Sequence, residues 1–200
     1  MKLPFNWFDV LLVIVLFIGL HRGRKRGMSE ELISLLKWLA IVIGGAFAYR
    51  PIGAAIANSP VFGLLSGYLM AYFAAALLIA VGFAALKKAV GGKLVGSDVF
   101  GRSEFYLGMM AGMVRFSCML IACLALLNAR SYTAGEIQSD IAVQNDLYGS
   151  TFFPKLYTVQ AQVFDRSLTG PWIRQNLGML LIAPTAPEHK QIKQKEFAVP

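Results

Sequence analysis

Four long apolar stretches, separated by short polar segments, dominate the first two thirds of the chain. They cover Leu3–Leu20, Leu32–Tyr49, Val61–Leu86 and Phe105–Ala129. An α-helix rises 1.5 Å per residue, so crossing a ~30 Å hydrocarbon core takes about 20 mostly apolar residues. The pattern therefore predicts an all-α integral membrane protein with four transmembrane helices. In the first stretch a cluster of positive charges, over 21–26, follows the apolar run, which favours a retained helix over a signal peptide.

The chain changes character after the fourth stretch. From residue 130 onwards polar and apolar residues mix, and the spacing of Leu156, Val159 and Val163 fits one face of an amphipathic helix. Ile173–Ile182 is apolar but too short to span a membrane. We therefore predict two parts: a transmembrane domain over 1–129, and an extracytoplasmic tail over 130–200. The tail has short amphipathic helices and a flexible end, and we expect it to pack against the outer surface of the helices.

Composition narrows the class of protein. Hydrophobic residues make up 56% of the chain and charged residues 15%, whereas a soluble domain carries about 25% charged residues. An ordinary soluble enzyme, a disordered chain and a secreted disulfide scaffold are therefore excluded. The net charge of +8 reflects an excess of Lys and Arg, and such an excess is typical of the cytoplasmic loops of a membrane protein. We expect the lipid bilayer, and no nucleic acid, as partner.

The basic residues predict an orientation. Eight lie in the loop between predicted helices one and two or in the loop between helices three and four, against three on the other side. Since short cytoplasmic loops are enriched in Lys and Arg, both termini should lie outside the cytoplasm. The first loop also has the charge to contact anionic lipid head groups. Its basic residues are Arg22, Arg24, Lys25 and Arg26.

Three charges fall inside the predicted spans, Asp9, Lys37 and Arg115. Lys37 lies close enough to the start of its span to extend to the interface, which leaves Asp9 and Arg115. A charge in hydrocarbon costs at least ~2.5–3.5 kcal/mol and normally finds a partner, so we expect these two to form an intramembrane ion pair. The pair would either line a polar path or clamp two helices together. Glu31 and Glu104 are the next candidate partners of Arg115, because both lie near the inner end of helix four.

Other residue patterns point to packing and not to catalysis. Gly108 and Gly112, like Gly63 and Gly67, lie four residues apart, which favours close helix contact within one chain over a dimer seam. Cys118 and Cys123 lie on different faces of one helix, and the two histidines are far apart in the sequence. We therefore predict no catalytic residue, cofactor or metal, and no enzyme.

Three segments together resemble the colicin V production protein (CvpA) family. The first is the aromatic-Asp opening Trp7-Phe8-Asp9, and the second is the basic loop and helix start over 22–38. The third is Glu104-x3-Gly108-x3-Gly112-x2-Arg115; the family usually has Asp followed by Arg at its acidic position, whereas here Phe105 follows Glu104. The second segment carries the family positions Gly23, Gly27, Glu31 and Trp38.

The resemblance covers about residues 5–128, with a weaker echo at Ser150–Pro154. It implies a bacterial inner-membrane protein associated with colicin V production or export, and with envelope homeostasis.

Three functions remain open at this level. The leading one is a non-enzymatic accessory protein of the family's type. The alternatives are a small channel or transporter subunit with a polar site at Asp9 and Arg115, and a membrane anchor or regulator of a partner protein that acts through the tail. A polar cavity at mid-membrane would favour the channel, whereas a dry, packed interior would favour the other two. A protein partner and a homo-oligomer are both compatible with the sequence.

Overall fold

The structure is a computed structural model that describes residues 5–59, 61–95, 100–148 and 155–186. Its described residues form helices and no strand; Arg130 and Thr185 make one isolated bridge. The helices are α1 (Trp7–Ala57), α2 (Leu64–Val95), α3 (Glu104–Asn128), α4 (Ala134–Tyr148), α5 (Leu156–Phe164) and α6 (Gly170–Asn176), with short 3₁₀ turns at Gly101–Ser103 and Gly178–Leu180.

Three described helices, and not the predicted four, are long and apolar enough to cross a membrane. The difference lies in α1, which contains both of the first two predicted spans. The basic residues between those spans continue the helix instead of forming a loop. Only Gly27 departs from helical geometry, with φ 72° and ψ 173°. Glycine alone adopts this backbone region readily because it lacks a Cβ, so a single residue replaces the predicted loop.

Gly27 divides α1 into a first segment (7–26) and a second segment (28–57) that run in opposite directions. The first segment contacts α3 in antiparallel order, with Gly19 beside Gly112 and Gly23 beside Gly108. The second segment runs parallel to α3: its early residue Glu31 pairs with Arg115, near the middle of that helix. Val42 packs farther along α3, in a buried cluster with Cys118 and Ala122.

The reversal explains how the two ends of α1 meet. Phe8 and Tyr49 belong to the same buried core, although a straight helix would separate them by about 60 Å. Within this core they join Leu124 and Ala125 of α3. The two predicted spans are therefore adjacent in space, within one element.

Close backbone contacts at glycines hold α1 against both α3 and α2. A methyl group at Gly19 would lie 2.8 Å from the carbonyl oxygen of Gly112, so the two backbones are already in contact. α2 packs antiparallel on the second segment of α1, with Gly53 against Gly67 and Gly45 against the ring of Tyr72. The structure thus uses Gly67, Gly108 and Gly112 for packing within the chain.

The tail closes the end of the bundle at which Phe8 and Tyr49 lie. Val163 and Phe164 of α5, Ile173 of α6, and Leu181 and Ile182 beyond it complete the same core. α5 coincides with the predicted amphipathic stretch, whereas α4 was not predicted. The predicted flexible end lies mostly outside the described residues, as do Ser150–Pro154 and His189.

Candidate functional site

A buried ion pair lies close to the point where α1 reverses. Glu31 is 0% exposed and Arg115 is 5% exposed, and the guanidinium of Arg115 donates to the Glu31 carboxylate in an ion pair. Arg26 donates to the other oxygen of Glu31, at 3.5 Å. The Glu31 carboxylate therefore lies between two guanidinium groups.

The local fold sets this geometry. The reversal at Gly27 brings Glu31, one turn later, to the side of α3, and the Gly23–Gly108 contact fixes the register between the helices. Arg115 also stacks on Phe116, with 4.8 Å from its guanidinium carbon to the ring centre. Its Nε is buried and has no hydrogen-bond partner among the described residues. The ion pair thus fixes the two segments of α1 against α3 in a largely apolar setting.

Several positions of the second and third family motifs lie around this reversal. Glu104, at the start of α3, lies directly over Gly27, where an added methyl group would be 2.8 Å from its Cγ. Gly23 and Gly112 are in backbone contact nearby. Two stretches that are far apart in the sequence, 22–31 and 104–115, are therefore in contact here. Trp38 lies farther along, against the cluster of Val42, Cys118 and Ala122.

Asp9 forms a second polar centre at the other end of the bundle. It is 4% exposed and lies in the first turn of α1, where it accepts from the backbone N–H of Asn6 at 3.0 Å and completes a capping box. It also accepts from the N–H groups of Leu168 and Thr169, both at 3.1 Å, and from the Thr169 hydroxyl at 2.8 Å. One carboxylate thereby joins the start of α1 to the tail.

The structure does not bring Asp9 and Arg115 together, which corrects the predicted pair. The neighbour of Asp9, Phe8, packs with Leu124 and Ala125, about nine residues beyond Arg115 and hence ~14 Å away along α3. Each charge has its own partners instead. Of the two alternatives predicted for Arg115, Glu31 is the residue it pairs with, whereas Glu104 contacts Gly27.

Additional contacts hold the tail in place. Trp7 donates from its ring nitrogen to the Gln162 side chain at 2.7 Å, and Asn6 donates to the Gln162 carbonyl at 3.1 Å. Asn128, at the end of α3, donates to the carbonyl of Ile182 at 2.9 Å. These contacts join residues more than 50 positions apart through common side chains and backbone groups. No sequence motif signals them.

The predicted lipid-contact residues separate into two groups. Arg26 turns towards Glu31, whereas Arg24 and Lys25 are exposed and line a cleft beside the start of α3. Arg22 is also exposed.

In the part of the chain that the structure describes, no group of three His, Cys, Asp or Glu side chains is placed to hold a metal ion. Cys118 and Cys123 are free thiols.

The residues that the structure describes form helices, three of which are long and apolar enough to cross a membrane, which is the pattern of a helical membrane protein. Residues 8–160 match the model of the colicin V production protein family. Because this match covers most of the chain, the protein belongs to that family. The match extends from Phe8 into α5, so it includes α4 as well as the membrane helices. No curated protein and no solved structure gives a significant match.

Proposed function

We propose that the protein is an accessory component of the bacterial cytoplasmic membrane that supports colicin V production or export and envelope homeostasis. In this role it acts as a scaffold and not as an enzyme. Family membership supports the connection to toxin production. The observation that carries the scaffold role is the set of hydrogen bonds from Leu168 and Thr169 to Asp9, since these fix the tail on the bundle.

The proposed topology has four crossings, with both ends of the chain outside the cytoplasm. The reversal at Gly27 supports it, because the two segments of α1 lie side by side and each is long enough to cross. The basic residues 22–26 and the basic end of α2 lie towards the end of the bundle where Gly27 and the start of α3 meet. The positive-inside rule favours the cytoplasm for that end and the extracytoplasmic side for the tail.

The interior supports a scaffold over a conduit. A cavity of about 270 Å³ between the first segment of α1, α3 and α6 has an apolar lining that includes Leu16, Leu120 and Ile173. An ion path needs polar groups along its wall to replace water. Asp9 and Arg115 lie apart, and each has its own hydrogen-bond partners. They therefore do not form together the polar site that a conduit would use.

A second role, as anchor or regulator of a partner protein, is supported by the outer surface of the tail. Leu168, Trp172 and Met179 are 56%, 59% and 79% exposed. Large exposed apolar side chains are available for contact with lipid or protein. This role uses the same docked tail, so both functions depend on Asp9.

Complementation of a strain that lacks the gene tests the proposal. Asp9→Ala removes the acceptor for the tail, while Asp146→Ala changes an exposed acid on α4 and is the matched control. Wild type and Asp146→Ala should restore secreted colicin V and survival in detergent. Asp9→Ala should accumulate in the membrane, become sensitive to trypsin at the exposed Arg166, and fail to restore either property.

Two results would contradict the proposal. One is full restoration by Asp9→Ala although trypsin shows that its tail is released. The other is ion flux through the purified protein in liposomes at the rate of a channel, with flux lost in the Arg115→Leu variant.

A further inference from the structure

A second surface, independent of the docked tail, lies at the Gly27 end of the bundle. There a cleft of about 670 Å³ opens between the end of the first segment of α1 and the start of α3. One wall is basic and the other is mainly apolar. The lining residues are His21, Arg24 and Lys25 on α1 and Phe105, Tyr106 and Met109 on α3.

The charge in this cleft is uncompensated. Among the described ion pairs, Arg26 has Glu31 as its partner, whereas Arg24 and Lys25 have none. The residues that line the cleft include no carboxylate. A ligand for this wall must therefore bring negative charge.

The opposite wall requires an apolar portion in the same ligand. Phe105 and Tyr106 are 60% and 70% exposed, and Met109 continues the surface along α3, towards the apolar middle of the helix. The backbone contact between Gly23 and Gly108 holds the two walls in fixed relation. The cleft thus joins a basic region at the end of the helices to an apolar surface that faces lipid.

We propose that this cleft binds one anionic phospholipid. Arg24 and Lys25 contact the phosphate, and Phe105 and Met109 contact the first part of an acyl chain. A basic residue near an anionic membrane surface favours binding by about fivefold, and the apolar wall adds selectivity for a lipid over free phosphate. The proposal goes beyond the accessory function and does not depend on it.

Native mass spectrometry of the full-length protein tests the site. The protein is taken from micelles that contain equal amounts of dioleoyl phosphatidylglycerol and dioleoyl phosphatidylcholine, and the retained lipids are counted. The double variant Arg24→Gln/Lys25→Gln removes the basic wall. Lys87→Gln/Lys88→Gln is the matched control, since it removes two exposed charges from α2, outside the cleft.

Wild type and the α2 control should retain one phosphatidylglycerol, in preference to phosphatidylcholine. The Arg24→Gln/Lys25→Gln variant should lose that preference by on the order of tenfold or more, and Arg24→Lys/Lys25→Arg should keep it. Phe105→Ala/Met109→Ala should weaken retention although every charge remains. Equal losses in the two Gln variants, or no effect of the Phe105 and Met109 changes, would overturn the proposal, because either result would mean diffuse charge attraction. Circular dichroism of each variant identifies any loss of helix.

Discussion

At the scale of single residues, the Glu31–Arg115 pair carries a high free-energy cost of burying two charges and depends on a specific geometry. Both side chains are almost completely covered, and transferring either charge alone into an apolar interior costs several kcal/mol. Their mutual attraction offsets this cost only while both are present. Gly27, one turn before Glu31, contacts Glu104, so the register of both α1 segments against α3 depends on this part of the bundle.

The pair predicts a specific mutational pattern. Glu31→Leu should destabilise the fold by about 3–5 kcal/mol, because it leaves Arg115 buried without a partner. Arg115→Leu should destabilise it less, because Arg26 remains beside the Glu31 carboxylate. The double variant should recover most of that loss, since both charges are removed together. Thermal unfolding of the purified protein and its abundance in the membrane are the measurements.

Two further comparisons serve as controls for this result. Asp165→Asn breaks an exposed ion pair with Arg174, at 3.1 Å, and should change stability by no more than about 1 kcal/mol. Asp9→Asn and Arg115→Leu should be additive within ~0.5 kcal/mol, because the two sites share no partner. Strong coupling between Asp9 and Arg115, with none between Glu31 and Arg115, would contradict the observed pairing.

At the scale of the elements, α1 is the centre of the structure because its two segments pack on both α2 and α3. The contacts rely on backbone approach at glycines, which is how helices associate in lipid, where apolar side chains gain little from contact with each other. Gly19 and Gly23 face Gly112 and Gly108 in the antiparallel pair. The spacing of four residues places each pair on one helix face.

A methyl group at one of these glycines tests the contact. In Gly23→Ala the new Cβ would meet the carbonyl oxygen of Gly108, so the first segment of α1 and α3 must separate and the unfolding temperature should fall. In Gly82→Ala the Cβ has no atom within 4 Å. This control should leave the protein unchanged or more stable, by up to about 1 kcal/mol, because alanine favours helix. Equal effects of the two changes would show that the glycines are not contact positions.

At the scale of the whole molecule, hydropathy predicted the apolar spans because chain length and lipid thickness determine them. It did not predict how helices end. Residues 21–26 are polar, yet they remain helical, and one glycine reverses the chain. The partner of Arg115 depends on helix register, which the Gly23–Gly108 contact sets in three dimensions. Asp9 is bound by backbone N–H groups of the tail, which any residue type supplies, so its partners leave no pattern in the sequence.

If α1 reverses at Gly27 and crosses the membrane twice, the start of α1 and the tail lie on the same side. A chain with three single crossings would put them on opposite sides. Single cysteines at Phe5, Lys25, Lys88 and Asp146, all exposed positions, distinguish these two arrangements. The background variant has Cys118 and Cys123 replaced by Ala.

The decisive measurement is labelling of these cysteines in intact cells with a thiol reagent that cannot cross the membrane. We expect Phe5→Cys and Asp146→Cys to react from outside, and Lys25→Cys and Lys88→Cys to react only after the cells are permeabilised. Reaction of only one of Phe5→Cys and Asp146→Cys from outside would contradict the reversal and the proposed position of the tail.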